Sequence, residues 1–148
     1  VIHDGTTERT TGAAGTVAAM TMAELKALDA GTWKGPAFAG EPIPTLEESL
    51  DMAKGRIGVY VEIKDQGGDD ALMARLLSAA AGKTVADEAF RAEARRLIDE
   101  DVTRNVTLTR AAIAAIRERA MEDEVVIQSF APIICTVVAL EAPEIRVE

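Results

Sequence analysis

The sequence predicts an α/β fold built around a parallel sheet, and three observations carry that expectation. Strand-like and helix-like segments alternate along the chain, as they must when parallel neighbours are joined by crossovers. The segment "RIGVYVEIK" has a strict period of two. Two helix starts share one grammar, a threonine with a glutamate three residues later and a glycine stop further on.

Val1 and Ile2 suit the end of a strand that closes by Asp4, and residues 5–20, rich in Gly, Thr and Ala, predict an irregular loop. Thr21 and Glu24 predict a capping box, Leu25 and Leu28 an apolar stripe, and Gly31 the stop. Residues 31–44 read as a loop carrying Trp33, Phe38 and Glu41. Thr45 and Glu48 repeat the box, with Leu46 and Leu50 as stripe and Gly55 as stop. In the strand 57–63, Ile57, Val59, Val61 and Ile63 share one face, and Gly58, Tyr60, Glu62 and Lys64 the other. It is expected to be central. Helices follow over 70–82, over 84–100 with Thr84 as cap, and from Thr109 to Met121. "EVVIQSF" (124–130) reads as a short buried strand, Pro132 as the first turn of another helix, and "EIRVE" as a strand starting.

Composition narrows the function. The 148 residues are 48% hydrophobic and 28% charged, as in ordinary globular domains, so the chain is expected to form a single domain. Aromatics are only 3%, which leaves the core to aliphatic side chains and alanine. A formal net charge of −9 argues against nucleic acid as a partner, because such binding needs a basic patch. An anionic substrate has to be held by local cations or a metal against that field. No segment approaches the ~20 apolar residues of a membrane span. The single cysteine, Cys135, rules out an internal disulfide and reads as a small buried hydrophobe. Nothing in the sequence selects a compartment.

Polar residues at the C-terminal ends of strands are where parallel α/β folds place their chemistry. His3 and Asp4 follow one strand, Glu62 and Lys64 end a second, and Gln128 and Ser129 end a third, so parallel neighbours would bring them to one rim. Together they suit phosphoryl transfer. A glutamate offers oxygen to a hard cation, a lysine neutralises phosphate, and a histidine gives a proton to a leaving alkoxide. Taken singly, a His-Asp step also suits a surface turn, a Glu/Lys pair a solvated edge, and a tryptophan a packing role.

Four stretches resemble the glycerophosphodiester phosphodiesterase family. They are "HDGTTERTTG", the run from Leu28 to Glu48, "VEIK" at 61–64 and "QSF" at 128–130. The resemblance covers 1–65 and 122–148. It implies a (β/α)8 barrel that hydrolyses glycerophosphodiesters, as small-molecule substrates, to glycerol 3-phosphate and an alcohol. It implies a divalent cation, Mg2+ or Ca2+, with Glu62 as a metal ligand. His3 and Lys64 match catalytic residues, and Arg9, Trp33 and Gln128 match substrate contacts. The family's His-Arg-Gly step and Glu-x-Asp pair lie upstream of the step matched by His3 and are absent here. The expectation is therefore a partial barrel of the phosphodiesterase type, lacking N-terminal and C-terminal βα units. Residues 5–44 would be a family-type loop insertion and 66–121 an extended helical segment, and the open edges would favour self-association. Two other functions remain open, a non-catalytic barrel segment and a related barrel phosphodiesterase acting on lysophospholipid or sphingolipid head groups.

Overall fold

The computed structural model describes residues 1–148, which form two compact units, Val1–Ser49 and Leu50–Glu148.

In the first unit, the strand expected at residues 1–4 does not form. Extended chain becomes a strand only beside a ladder partner, and the Val1 ammonium instead donates to the Pro44 carbonyl oxygen. An isolated antiparallel bridge between Thr6 and Thr16 closes the loop that follows. Within it lie the single helical turn α1 (Glu8–Thr11) and the buried hydroxyl of Thr7, which donates to the Ala13 carbonyl at 2.6 Å. Helix α2 (Met22–Lys26) begins at the expected Thr21–Glu24 capping box. It stops at Lys26, well short of Gly31, with the Ala27 N–H shared among the carbonyls of Ala23, Glu24 and Leu25. Gly31 answers a different demand, since a Cβ there would stand 1.8 Å from the Phe38 carbonyl oxygen. Thr45 and Glu48 cap α3 (Leu46–Ala53) reciprocally, at 3.1 and 2.9 Å.

In the second unit, β1 (Val59–Glu62), β2 (Val125–Gln128) and β3 (Arg146–Val147) form a parallel sheet in the order β1-β2-β3. Between β1 and β2 run α4 (Asp70–Ala79), α5 (Glu88–Glu100) and α6 (Arg104–Glu118), and between β2 and β3 runs α7 (Pro132–Glu141). Sequential neighbours without a reversal are the order of a (β/α)8 barrel, whereas doubly wound sheets reverse at a switch point. The sheet is thus a stretch of barrel-type α/β structure. Helix α4 packs on α5, α6 on α7, and α7 on β2 and β3. The core is aliphatic, with Ile98, Val106, Ile116, Val125, Ile127, Ile134, Val137 and Leu140 fully buried.

Three expectations change. β2, not β1, is the central strand of this sheet, and it alone is buried along both faces. Ile57 lies outside β1 and is 66% exposed, because its N–H continues the turn after α3 by donating to the Ala53 carbonyl. Helix α6 starts at Arg104, capped by Thr103, rather than at Thr109. Its first turn buries polar Asn105, and Thr109 is buried one turn later, which hides the apolar period from a hydropathy reading.

Helix α5 also departs in its cap, which is Asp87, with the carboxylate accepting from the Phe90 N–H at 3.1 Å. Thr84 makes only a local turn, accepting from the Ala86 N–H at 3.2 Å. Asp87→Ala should therefore cost about 1 kcal/mol in urea unfolding. Thr84→Ala should stay within about 0.5 kcal/mol of the parent.

Candidate active site

The residues expected to carry chemistry fall into two groups, one in each unit.

In the first unit, His3 and Arg9 both hydrogen-bond the Asp4 carboxylate. His3 Nδ1 stands 2.9 Å from Asp4 Oδ1. The Arg9 guanidinium grips the same carboxylate, Nε donating to Oδ2 at 2.6 Å and Nη2 to Oδ1 at 3.2 Å. The turn α1 places Arg9 five residues beyond Asp4, where the chain folds back on itself. Arg9, and then His3, hold the Asp4 carboxyl down at about 2. At neutral pH Asp4 is thus a charged acceptor and cannot donate. The proton between it and His3 therefore sits on Nδ1, which leaves Nε2 of the exposed imidazole for proton transfer.

Trp33 is displayed by a loop organised by Asp29. That carboxylate accepts from the backbone N–H groups of Gly31, Thr32 and Gly40, each at 2.9 Å, and from the Thr32 hydroxyl at 2.6 Å. These donors, the Thr32 hydroxyl first, hold Asp29 far below the usual carboxylate range. The Trp33 indole N–H is fixed on the Ala30 carbonyl at 2.9 Å, while its ring stays 55% exposed beside Lys34. Asp29 was not singled out by the sequence, although "DAGT", an aspartate just ahead of Gly31 and Thr32, is an Asx-turn signal.

In the second unit, Glu62 ends β1 opposite Gln128 in β2, so the two side chains leave the same face of the sheet. Lys64 Nζ meets Glu62 Oε1 at 2.6 Å. Ser129 fixes the chain between them. Its buried hydroxyl donates to the Ile63 carbonyl at 2.7 Å and accepts from the Ala131 N–H at 3.1 Å, tying the end of β1 to the start of α7. Cys135 is only half-buried and lies near this point, with Sγ 3.6 Å from the Ser129 carbonyl oxygen.

Mg2+ and Ca2+ take about six or more oxygen ligands. No group of three or more His, Cys, Asp or Glu side chains is arranged to hold such an ion, and Glu62 offers one carboxylate already bonded to Lys64. The residues present do not by themselves fit a metal centre. No helix is long and apolar enough to cross a membrane.

The sequential parallel sheet, with ionisable side chains at the C-terminal ends of its strands, defines a segment of a barrel of the α/β class. Residues 1–100 match the model of the glycerophosphoryl diester phosphodiesterase family, and the chain belongs to that family. The YhdW protein of Bacillus subtilis is 52% identical over 64 residues, which is 43% of this chain and 26% of that protein. A glycerophosphodiester phosphodiesterase of Caldanaerobacter subterraneus is 48% identical over 65 residues, 43% of this chain and 27% of that one. The crystal structure of glycerophosphodiester phosphodiesterase from Agrobacterium tumefaciens superposes with a TM-score of 0.61 at 26% identity, covering 99% of this chain and 46% of that structure. The chain thus spans less than half the length of that structure, and its matches cover about a quarter of each sequence relative.

Two measurements check this geometry. Ser129→Ala strands a buried carbonyl and a buried N–H, and should destabilise the chain by about 1–3 kcal/mol in denaturant unfolding. The Asp4 carboxyl is lowered on folding, so its stabilising effect is present above its ordinary value of 3.8 and lost as pH falls through about 2. Carbon-detected NMR should show it titrating near that lower value, and Arg9→Gln should move the titration back up.

Proposed function

We propose that this chain carries part of the machinery of a phosphodiesterase that hydrolyses glycerophosphodiesters to glycerol 3-phosphate and an alcohol. The observation that carries the proposal is the His3–Asp4–Arg9 cluster, in which the Asp4 carboxylate anchors one imidazole nitrogen and leaves the other for proton transfer. Family membership supplies the substrate class. In the reaction, a water oxygen forms a bond to phosphorus and releases a proton to solvent, and the bond from phosphorus to the alcohol oxygen breaks. His3, as imidazolium, gives the Nε2 proton to the departing alkoxide.

Lys64 is assigned to the phosphate oxygens, as the cation beside Glu62 at the strand end. Gln128, on the same sheet face as Glu62, is assigned a substrate contact. Trp33 is assigned one because its ring is displayed while its N–H is already satisfied. Arg9 is assigned first to Asp4 and, through its exposed remainder, to the anionic substrate. Glu62 offers a single carboxylate to a divalent cation, Mg2+ or Ca2+, and is assigned at most one oxygen ligand of such an ion, which it does not hold by itself.

The test is His3→Ala in the full-length protein, assayed on glycerophosphocholine. Loss of an acid–base group should lower kcat by roughly 10²–10⁴-fold with folding intact. A variant that unfolds more easily but turns over within a few-fold of the parent would show a loop anchor instead, and would overturn the assignment.

A further inference from the structure

We propose that Asn105 is a positioning residue for Lys64, acting through the loop that leaves β1. The proposal rests on the hydrolase reading above.

The loop has one local turn of its own, the Gly67 N–H donating to Asp65 Oδ1 at 2.7 Å, and no ladder partner. Backbone pairing runs up to the Ile63 N–H, which donates to the Gln128 carbonyl at 3.0 Å, and resumes where the Met73 N–H meets the Asp69 carbonyl at 2.8 Å. Between them lie Gly67 and Gly68, both left-handed, at φ +69° and +85°. Such a segment takes one conformation only if side chains hold it.

Asn105, fully buried on the first turn of α6, does that at three points. Its amide oxygen accepts from the Gln66 N–H at 3.0 Å. Its amide nitrogen donates to Asp65 Oδ1 at 2.8 Å and to Asp69 Oδ2 at 2.5 Å. Both ends of the loop and its middle therefore converge on one side chain. The Thr109 hydroxyl in turn donates to the Asn105 carbonyl at 2.7 Å. The other oxygen of Asp69, Oδ1, is buried with no hydrogen-bond partner, so the bond to Asn105 is what holds that carboxylate.

The connection to Lys64 is direct. The Gln66 side-chain amide donates to the Lys64 carbonyl at 2.9 Å, and Asp65 is the next residue in the chain. A displaced loop moves the Lys64 backbone relative to Glu62, which the strand keeps in place. An aspartate at 105 could not replace the asparagine, because it has no N–H to give and would face two more carboxylates.

The test is a double-mutant cycle in the full-length protein on glycerophosphocholine, with kcat and KM read separately. Asn105→Ala and Lys64→Ala should each lower kcat/KM by about 10-fold or more, with KM rising in both. If Asn105 acts through Lys64, the double variant should be little worse than Lys64→Ala alone. Asn105→Ala also takes the donor from a buried carboxylate, so Asp65→Ala, which removes an exposed partner of both Asn105 and the Gly67 N–H, runs through the same cycle. It should show the same non-additivity with a smaller single effect. Losses that multiply in both cycles would overturn the proposal and leave Asn105 a structural residue. A wild-type protein inactive on every glycerophosphodiester would overturn the hydrolase reading, and this proposal with it.

Discussion

The hydroxyl of Ser129 is the bond on which the second unit's polar rim depends. A parallel ladder ends where its strands diverge, and the carbonyl at that point needs a donor. The Ile63 carbonyl is at that point, between Glu62 and Lys64, and Ser129 supplies the donor at 2.7 Å. The same oxygen accepts from the Ala131 N–H, so α7 starts from the spot where β1 stops. The spacing of Glu62, Lys64 and Gln128 thus follows from backbone held by one side chain. Asn105 continues the arrangement one step along the chain, taking over where the ladder and Ser129 leave off.

Charge explains why these groups come paired. The chain carries a formal net charge of −9, so an isolated carboxylate on it meets mostly like charge. Asp4 is matched by Arg9, Glu62 by Lys64, and Asp29 by a ring of N–H and O–H donors. Each solution has a different consequence. Asp29 bonds four groups of its own loop and shapes it. Asp4 meets a planar guanidinium in a two-point contact, which fixes orientation as well as charge. Glu62 meets a single flexible ammonium.

How much of this the sequence revealed depends on where each signal resides. Local signals were legible. Both threonine capping boxes form as the spacing implied, Pro132 opens α7, and the alternation in "VYVE" puts Tyr60 and Glu62 on the more exposed face. The pairing of Glu62 with Lys64 follows from the same period of two. Signals that need a partner elsewhere were not legible. Val1 and Ile2 have strand-like side chains but no ladder, and β1 falls at the sheet edge because its neighbours are set by topology. Gly31 looks like a helix stop, while its real constraint, the Phe38 carbonyl, lies seven residues away. Asn105 and Thr109 are polar residues of types usually found in solvent, yet both are buried and bonded. Polar residues inside a helix stripe disguise its period, and for that reason α6 begins at Arg104, ahead of the Thr109 start that the sequence suggests.

The two cation–carboxylate pairs differ in how readily they can exchange partners, and that difference separates their roles. The Lys64–Glu62 pair is a single contact between side chains 41% and 30% exposed. Pairs of this kind contribute about 0–1 kcal/mol, so Lys64 can leave Glu62 at little cost. Lysine suits this, since its ammonium is a compact charge on a flexible stem. Arg9 is different. Moving it would break two hydrogen bonds to Asp4 and would also loosen the partner that holds His3. The geometry therefore makes Lys64 the more easily released cation, and Arg9 the one whose two bonds hold the Asp4 carboxylate beside His3.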